Sequence, residues 1–377
     1  MVDFNAVCLL TSAFIGLLSG GLGLRFRHKP GLSFLPRTML IGAFWSSLAV
    51  VGTGLWFSDA FAAVHMAYLI LTLGVPLASS IVLAQRWKLK GFAGSVTKGV
   101  LIVGLLPAPI GLYASHLEPF WLRTDRATVP NVEVQSTLRI GVLSDFQTPS
   151  VGDYERDALD TLLSQNPQLI LVPGDLFQVD SAEQFELVAD QFAAVLSRLD
   201  AEADRVVVVE GDTDDVARLQ RLAAGTDVVV LADSVTQILI DDQRVRIGGL
   251  SLGADASLQQ RVIDELVTAD PGVVSILLTH RPDPVLSLPE NSGVDLVVAG
   301  HTHGGQVSIP FLGPPVTLTD VPRHVAAGGL HAVNGNAIYV STGVGRERHR
   351  APQLRFGVRP SVGIIMMVNP NLPLDNG

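Results

Sequence analysis

The chain has almost no cysteine. Cys8 stands alone inside an apolar run, so no intramolecular disulfide is possible and cysteine usage says nothing of redox compartment. A metal site here has to draw on His, Asp, Asn or Gln. Lysine is absent from residues 131–377, which carry 16 Arg against 32 Asp/Glu. That acidic balance lacks the basic footprint that broad nucleic-acid binding needs, and no nucleic-acid partner is expected. It does not repel metal cations. Internal repeats and low-complexity tracts are missing as well.

What the chain does have is apolar length. It is 48% hydrophobic, with a mean hydropathy of +0.39, and the excess sits in the first third. Four apolar stretches fall at 6–24, 39–57, 60–84 and 96–112. A spanning helix needs about 20 largely apolar residues, which the first three supply. The fourth is shorter and carries Pro107 and Pro109, a kinked span of the kind that membranes tolerate. Residues 1–114 are therefore expected to be a transmembrane region of three or four spans. The first run lacks a basic leader, so a cleaved signal peptide is not expected.

The charges orient these spans. Arg25, Arg27, Lys29 and Arg37 fall between spans one and two, and Arg86, Lys88, Lys90 and Lys98 between three and four. The loop between spans two and three holds Ser58 and Asp59 and no Lys or Arg. The positive-inside rule puts the basic loops in the cytoplasm. With four spans, everything after them is extracytoplasmic, so the expected location is a multi-pass cell-membrane protein.

Residues 115–137 read as a linker, and 371–377 as a polar tail. Between them apolar and amphipathic runs alternate. Strands are expected at 138–144, 168–172, 205–209 and 227–231, with helices at 154–165, 182–199 and 214–224. A hairpin about Asp241-Asp242 joins 235–240 to 243–248. A helix near 258–267 precedes strands at 273–278, 294–298, 307–309, 337–340 and 362–367. This is a layered α/β domain with its chemistry on loops at strand ends.

Those ends carry the candidate ligands. Asp145 and Gln147 follow the first strand, Gly174-Asp175 the second, and Gly211-Asp212-Thr213-Asp214 the third. Thr279-His280 follows a later one. Gly300-His301-Thr302-His303-Gly304-Gly305-Gln306 closes the series. One acidic strand end is commonplace, because Asp caps helices and Gly-Asp makes turns. Five ends carrying carboxylate, amide or imidazole could hold two divalent metals about 3.5–4 Å apart, the clamp used in phosphoester hydrolysis. Carboxylates mixed with imidazoles suit Mn, Fe or Zn better than Ca.

In order and spacing over 138–306, these motifs resemble those of the calcineurin-like metallophosphoesterases. Their pattern is Asp-x-His, Gly-Asp, Gly-Asn-His-Asp/Glu, a lone His and Gly-His-x-His. The tail Ile338-Tyr339-Val340-Ser341-Thr342-Gly343-Val344-Gly345, with Leu354-Arg355-Phe356-Gly357-Val358-Arg359-Pro360, is similar to the bacterial membrane-associated branch of that family. The resemblance implies an α/β/β/α phosphoesterase domain over 138–370. It implies a first metal on Asp145, position 147, Asp175 and His303. Asp175 would bridge to a second metal on position 212, His280 and His301. Water activated between the metals would attack phosphorus.

Three positions depart from the pattern. Gln147 replaces a histidine, and its amide ligates more weakly, so the first site is expected to be weak. Asp212 replaces an asparagine and adds charge. Thr213 replaces the histidine that contacts the phosphoryl group, and threonine cannot act as general acid at neutral pH, help worth about 10²–10⁴-fold. The expected activity is thus phosphodiester hydrolysis, with Asp175, Asp212 and Thr213 at the reacting group. The alternative is a weakly active or inactive homologue serving as a membrane-held binding module. Membrane lipids are the expected partners and a lipid-linked phosphoester the expected substrate.

Arg346, Arg348, His349 and Arg350 form a basic cluster, either a grip for phosphate or an anionic headgroup, Arg346 foremost, or a solvated loop. Asp214 is expected to cap a helix and Asp283 to sit in a turn. His324 and His331 are expected to be structural or exposed, and His65 and His116 to lie near membrane edges.

Overall fold

The computed structural model describes residues 3–25, 34–86, 90–267 and 270–372. Arg27, Lys29, Lys88 and the last five residues of the tail lie outside them. Two compact units result: 1–117 with 347–353, and 118–346 with the remainder of the C-terminal segment.

The first unit is helical. It comprises α1 (Phe4–Arg25), α2 (Phe34–Phe57), α3 (Ala60–Leu69), α4 (Val75–Arg86), α5 (Gly91–Val103) and α6 (Pro107–His116). Asp59 starts α3 by accepting from Phe61 N at 2.8 Å. A π-helical turn, Ile70–Gly74, joins α3 to α4 just before Pro76, which has no N–H for the regular ladder. The fourth apolar stretch begins earlier than expected and breaks before Pro107. Four helical stretches, 4–22, 38–57, 60–85 and 91–120, are long and apolar enough to cross a membrane. Residues 347–353 of the basic cluster belong to this unit. Arg350 donates to Phe57 O at 3.0 Å, lies 3.6 Å from Asp59 and covers the Phe57 ring.

In the second unit, twelve strands among the described residues form two sheets of six. Those of the first sheet are β1 (Arg123–Pro130), β2 (Leu138–Val142), β3 (Leu169–Val172), β4 (Arg205–Val208), β5 (Val229–Val230) and β12 (Ser361–Val368), in the order β1-β12-β2-β3-β4-β5. The second holds β6 (Ser234–Ile240), β7 (Gln243–Gly249), β8 (Val273–Leu278), β9 (Leu296–Ala299), β10 (Gly329–Val333) and β11 (Asn336–Val340), in the order β10-β11-β9-β8-β7-β6. Helices α7 (Asp153–Leu163), α8 (Ala182–Glu202), α9 (Val216–Leu222) and α10 (Ala256–Leu266) match the expected ones within three residues.

Strand alternation explains the layers. Leu169 and Leu171 face the second sheet, while Ile170 and Val172 face α7 and α8. Val274, Ile276 and Leu278 meet the first sheet, and Leu277 packs under α10. The central strands β3, β8 and β9 are buried on both faces, as a four-layered α/β/β/α stack requires.

Three expectations need correction. The stretch 115–137 is not a linker: Arg123–Pro130 pairs in parallel with β12. Its three charged residues hid it, because β12 supplies the apolar half and only Val129 is buried. Strand β10 was also missed, although Asn334-Gly335 is the hairpin turn signal and both residues have positive φ, 48° and 76°. Residues 307–309 form no strand, only bridges from Val307 to Phe356 and from Ile309 to Gly313.

Candidate metal centre

Strands β2, β3 and β4 run parallel, as do β8, β9 and β11, so their C-terminal ends share an edge. The chain leaves these ends by sharp turns. Asp145, Gln147, Asp175, His301 and His303 all have positive φ, between 41° and 69°. Left-handed backbone costs a non-glycine residue roughly 1–2 kcal/mol, so surrounding bonds have to hold it. They do: Gln147 N donates to Asp175 O at 2.8 Å, Gly345 N to Asp145 O at 2.6 Å, and His301 N to Asp145 Oδ1 at 2.9 Å. The last bond ties one sheet's site residues to the other's.

The side chains converge. His280 Nε2 is 3.2 Å from Asp212 Oδ2 and 3.7 Å from Asp175 Oδ2. His301 Nδ1 lies 2.7 Å from Asp212 Oδ2, and His303 Nε2 lies 3.7 Å from Asp145 Oδ1. His280 Nδ1 bonds Pro173 O at 2.8 Å, which fixes the ring and turns Nε2 to the carboxylates. Ser144 Oγ donates to Asp145 Oδ2. Gly300 and Gly211 leave the space: a Cβ on Gly300 would overlap Ser144 Oγ and lie 2.6 Å from Asp145 Oδ2, and one on Gly211 would overlap Asp175.

Burial pushes His280 down, but Asp175 and Asp212 override it and raise it to about 10. Burial likewise acts to raise Asp212, yet hydrogen bonds from His280, His301 and Arg281 hold its carboxyl far below the usual range. Burial raises Asp145. Burial first, then the Arg355 charge, pushes His303 well below the ordinary imidazole value, so it stands neutral and able to donate an electron pair.

The departures acquire a physical context. Gln147 is buried beside Asp145. Asp212 shares its extra charge: Arg281 holds Oδ1 at 2.5 Å while the two histidines face Oδ2. The Thr213 hydroxyl donates to Phe177 O at 2.7 Å, and its amide to Asp175 Oδ1 at 2.8 Å. Arg346 stacks over the Phe120 ring at 4.9 Å, one residue beyond Gly345.

Asp214 is not the helix cap; Asp215 is, accepting from Arg218 N at 2.9 Å. Asp214 is buried and accepts from Leu176 N and Gly211 N, both at 2.6 Å, joining the loops of Asp175 and Asp212. Asp283 pins Thr319 and Asp320. His324 and His331 meet edge to face, ring centroids 5.5 Å apart. Sequence reasoning assigned no role to Arg355, which is wholly buried. It donates to Gly343 O at 3.2 Å, Gly345 O at 2.6 Å and His303 Nδ1 at 3.2 Å, and burial lowers it to about 10. Its place in the quoted tail motif was the available signal.

The donors fit a divalent cation. Ligand atoms of Asp212, His280 and His301 lie within 4.8 Å of one another, as do those of Asp145, Asp175 and His280. Three carboxylates so close repel unless positive charge stands among them.

Residues 138–305 match the family model described as calcineurin-like phosphoesterase. Over that stretch the chain carries a calcineurin-like phosphoesterase domain, and this match together with its metallophosphoesterase relatives supports a metal-dependent phosphoester hydrolase. It is 25% identical to the uncharacterized metallophosphoesterase YkuE of Bacillus subtilis over 311 residues, covering 77% of this chain and 99% of the relative. It is 27% identical to phosphodiesterase YaeI of Escherichia coli over 218 residues, covering 56% and 74%. An uncharacterized metallophosphoesterase of Helicobacter pylori is 26% identical, over 73% of this chain and 76% of its own.

Proposed function

We propose that the protein is a membrane-anchored phosphodiesterase that uses two divalent ions, Mn, Fe or Zn. The observation that carries this reading is the convergence of Asp145, Asp175, Asp212, His280 and His301 from the ends of two sheets. Asp145, Gln147, Asp175 and His303 would hold the first ion, weakly because of the Gln147 amide. Asp175, Asp212, His280 and His301 would hold the second. Bound there, the ions supply a water of lowered pKa and neutralise charge on the phosphoryl oxygens.

The chain's own residues do the positioning. Pro173 O and Leu318 O orient the rings of His280 and His301, and Arg281 fixes the rotation of Asp212. Thr213 offers its amide and hydroxyl to Asp175 and Phe177 rather than a proton to a leaving group. A diester with a good leaving group suits such a site, and a relative named as a phosphodiesterase agrees. Arg346 would meet the phosphoryl group. The four apolar helices support anchoring, and Arg350 on the Phe57–Asp59 turn, the one without Lys or Arg, supports an extracytoplasmic domain. A lipid-linked phosphodiester follows as the substrate class.

Purified full-length protein loaded with Mn should cleave bis-p-nitrophenyl phosphate faster than p-nitrophenyl phosphate, and His301→Ala should abolish both. Equal or faster monoester cleavage overturns the diester reading. A reporter fused to the C-terminus and active only in the cytoplasm overturns the orientation.

A further inference from the structure

The segment between the metal-site histidines and Asp320 is out of keeping with the acidic domain around it. Residues 300–319 contain no Asp, Glu, Lys or Arg. Within ten residues Ile309, Phe311, Leu312, Val316 and Leu318 are all exposed, Phe311 completely. Scattered apolar residues need no explanation, but five large ones together on one loop mark an interaction site.

This loop is built, not slack. Ser308 N donates to Phe356 O at 2.7 Å and Phe356 N to Gln306 O at 2.8 Å, which anchors its start. Ile309 and Gly313 exchange bonds of 3.1 and 2.9 Å, forming a tight turn with Phe311 and Leu312 at its tip. Asp283 accepts from Thr319 Oγ1 at 2.8 Å and Asp320 N at 2.6 Å, which fixes its end. Leu318 O also lies 3.3 Å from His301 Nε2, so the apolar loop rests on a ligand of the centre.

We propose that loop 307–318 inserts Phe311 and Leu312 into the hydrocarbon edge of the bilayer, so that a phosphodiester at the lipid surface reaches the metal centre. The bilayer is the fitting occupant for two reasons. The domain begins at Glu118, directly after a helical unit ending at Leu117 that holds four helices apolar enough to span a membrane. An anionic surface repels the acidic remainder of the domain and tolerates this uncharged segment. The occupant rests on the membrane-anchored reading, while the insertion is measurable without any turnover.

The test uses the full chain in lipid nanodiscs. Cys8→Ala removes the native thiol, and a nitroxide is placed on Phe311→Cys or, as reference, on Leu187→Cys, an exposed site on α8. The label at 311 should collide more often with oxygen than with a polar nickel chelate, and the label at 187 the reverse. Equal chelate access at both sites overturns the proposal. In a second arm, Phe311→Ser with Leu312→Ser should lower kcat/KM on a two-chain lipid phosphodiester about tenfold or more and leave bis-p-nitrophenyl phosphate unchanged. Equal loss on both substrates also overturns it, since the loop would then be part of the catalytic wall. Failure of the unmodified chain to cleave either substrate sinks the phosphodiesterase reading, and the collision data still decide the loop.

Discussion

Replacing Asp214 with alanine should loosen the centre without touching a ligand. Its two oxygens take the amides of Leu176 and Gly211, each at 2.6 Å, and those amides adjoin Asp175 and Asp212. Alanine leaves two buried donors without acceptors. Each costs about 1–3 kcal/mol, so the loss is roughly 2–6 kcal/mol. For a domain of this size that lowers Tm by roughly 5–20 °C. Thermal unfolding of the full chain in detergent measures it. Hydrogen exchange of the peptides around 172–178 and 208–214 shows whether the loss is local. Unchanged Tm together with unchanged exchange would refute the reasoning. Asp214 also predicts a pH dependence. Burial, aided by the charge of Asp175, raises its carboxyl to about 7. An acid raised above its unfolded value of about 3.9 stabilises the fold while protonated. That contribution is complete below the unfolded value and disappears as pH rises through about 7. Asp214→Asn, which does not titrate, should flatten the decline of metal-free stability across that window; parallel curves would contradict it.

Arg281→Ala frees Asp212 to rotate and should weaken metal binding about 10–100-fold, measured by calorimetry; unchanged affinity would show that Arg281 only neutralises charge. Gln147→His should raise the metal retained after dialysis, read by elemental analysis, and no gain would mean that position 147 does not ligate. Gly300→Ala forces Asp145 or Ser144 aside, and a displacement of about 1 Å should cost on the order of 10²-fold in diester cleavage at nearly unchanged folding. Full activity in that variant would place the reaction away from Asp145.

Much of this was legible because it is local. Apolar runs of spanning length, alternating strands and Gly-Asp or Gly-His ends are properties of neighbours in the chain. They were enough to read four apolar stretches, a layered α/β class and the candidate ligands at the strand ends, while the two-sheet form came from the family resemblance. What stayed hidden depends on partners far away in sequence. Strand β1 looked like a linker because β12, more than 200 residues on, completes it. Asp214 read as a cap because a short acidic residue before a helix usually is one; only the fold brings Leu176 and Gly211 to its oxygens. Arg281 and Arg355 drew no role from the sequence, Arg355 despite its place in the tail motif, since what they do toward Asp212 and His303 exists only across the joined strand ends. The sequence by itself determined which residue types stand at each strand end, since period and turn chemistry are written locally. Tertiary structure alone decided which of them meet, which carboxylates are shielded and which histidine stays neutral, because burial and Coulomb energy depend on distances that only the packed sheets set.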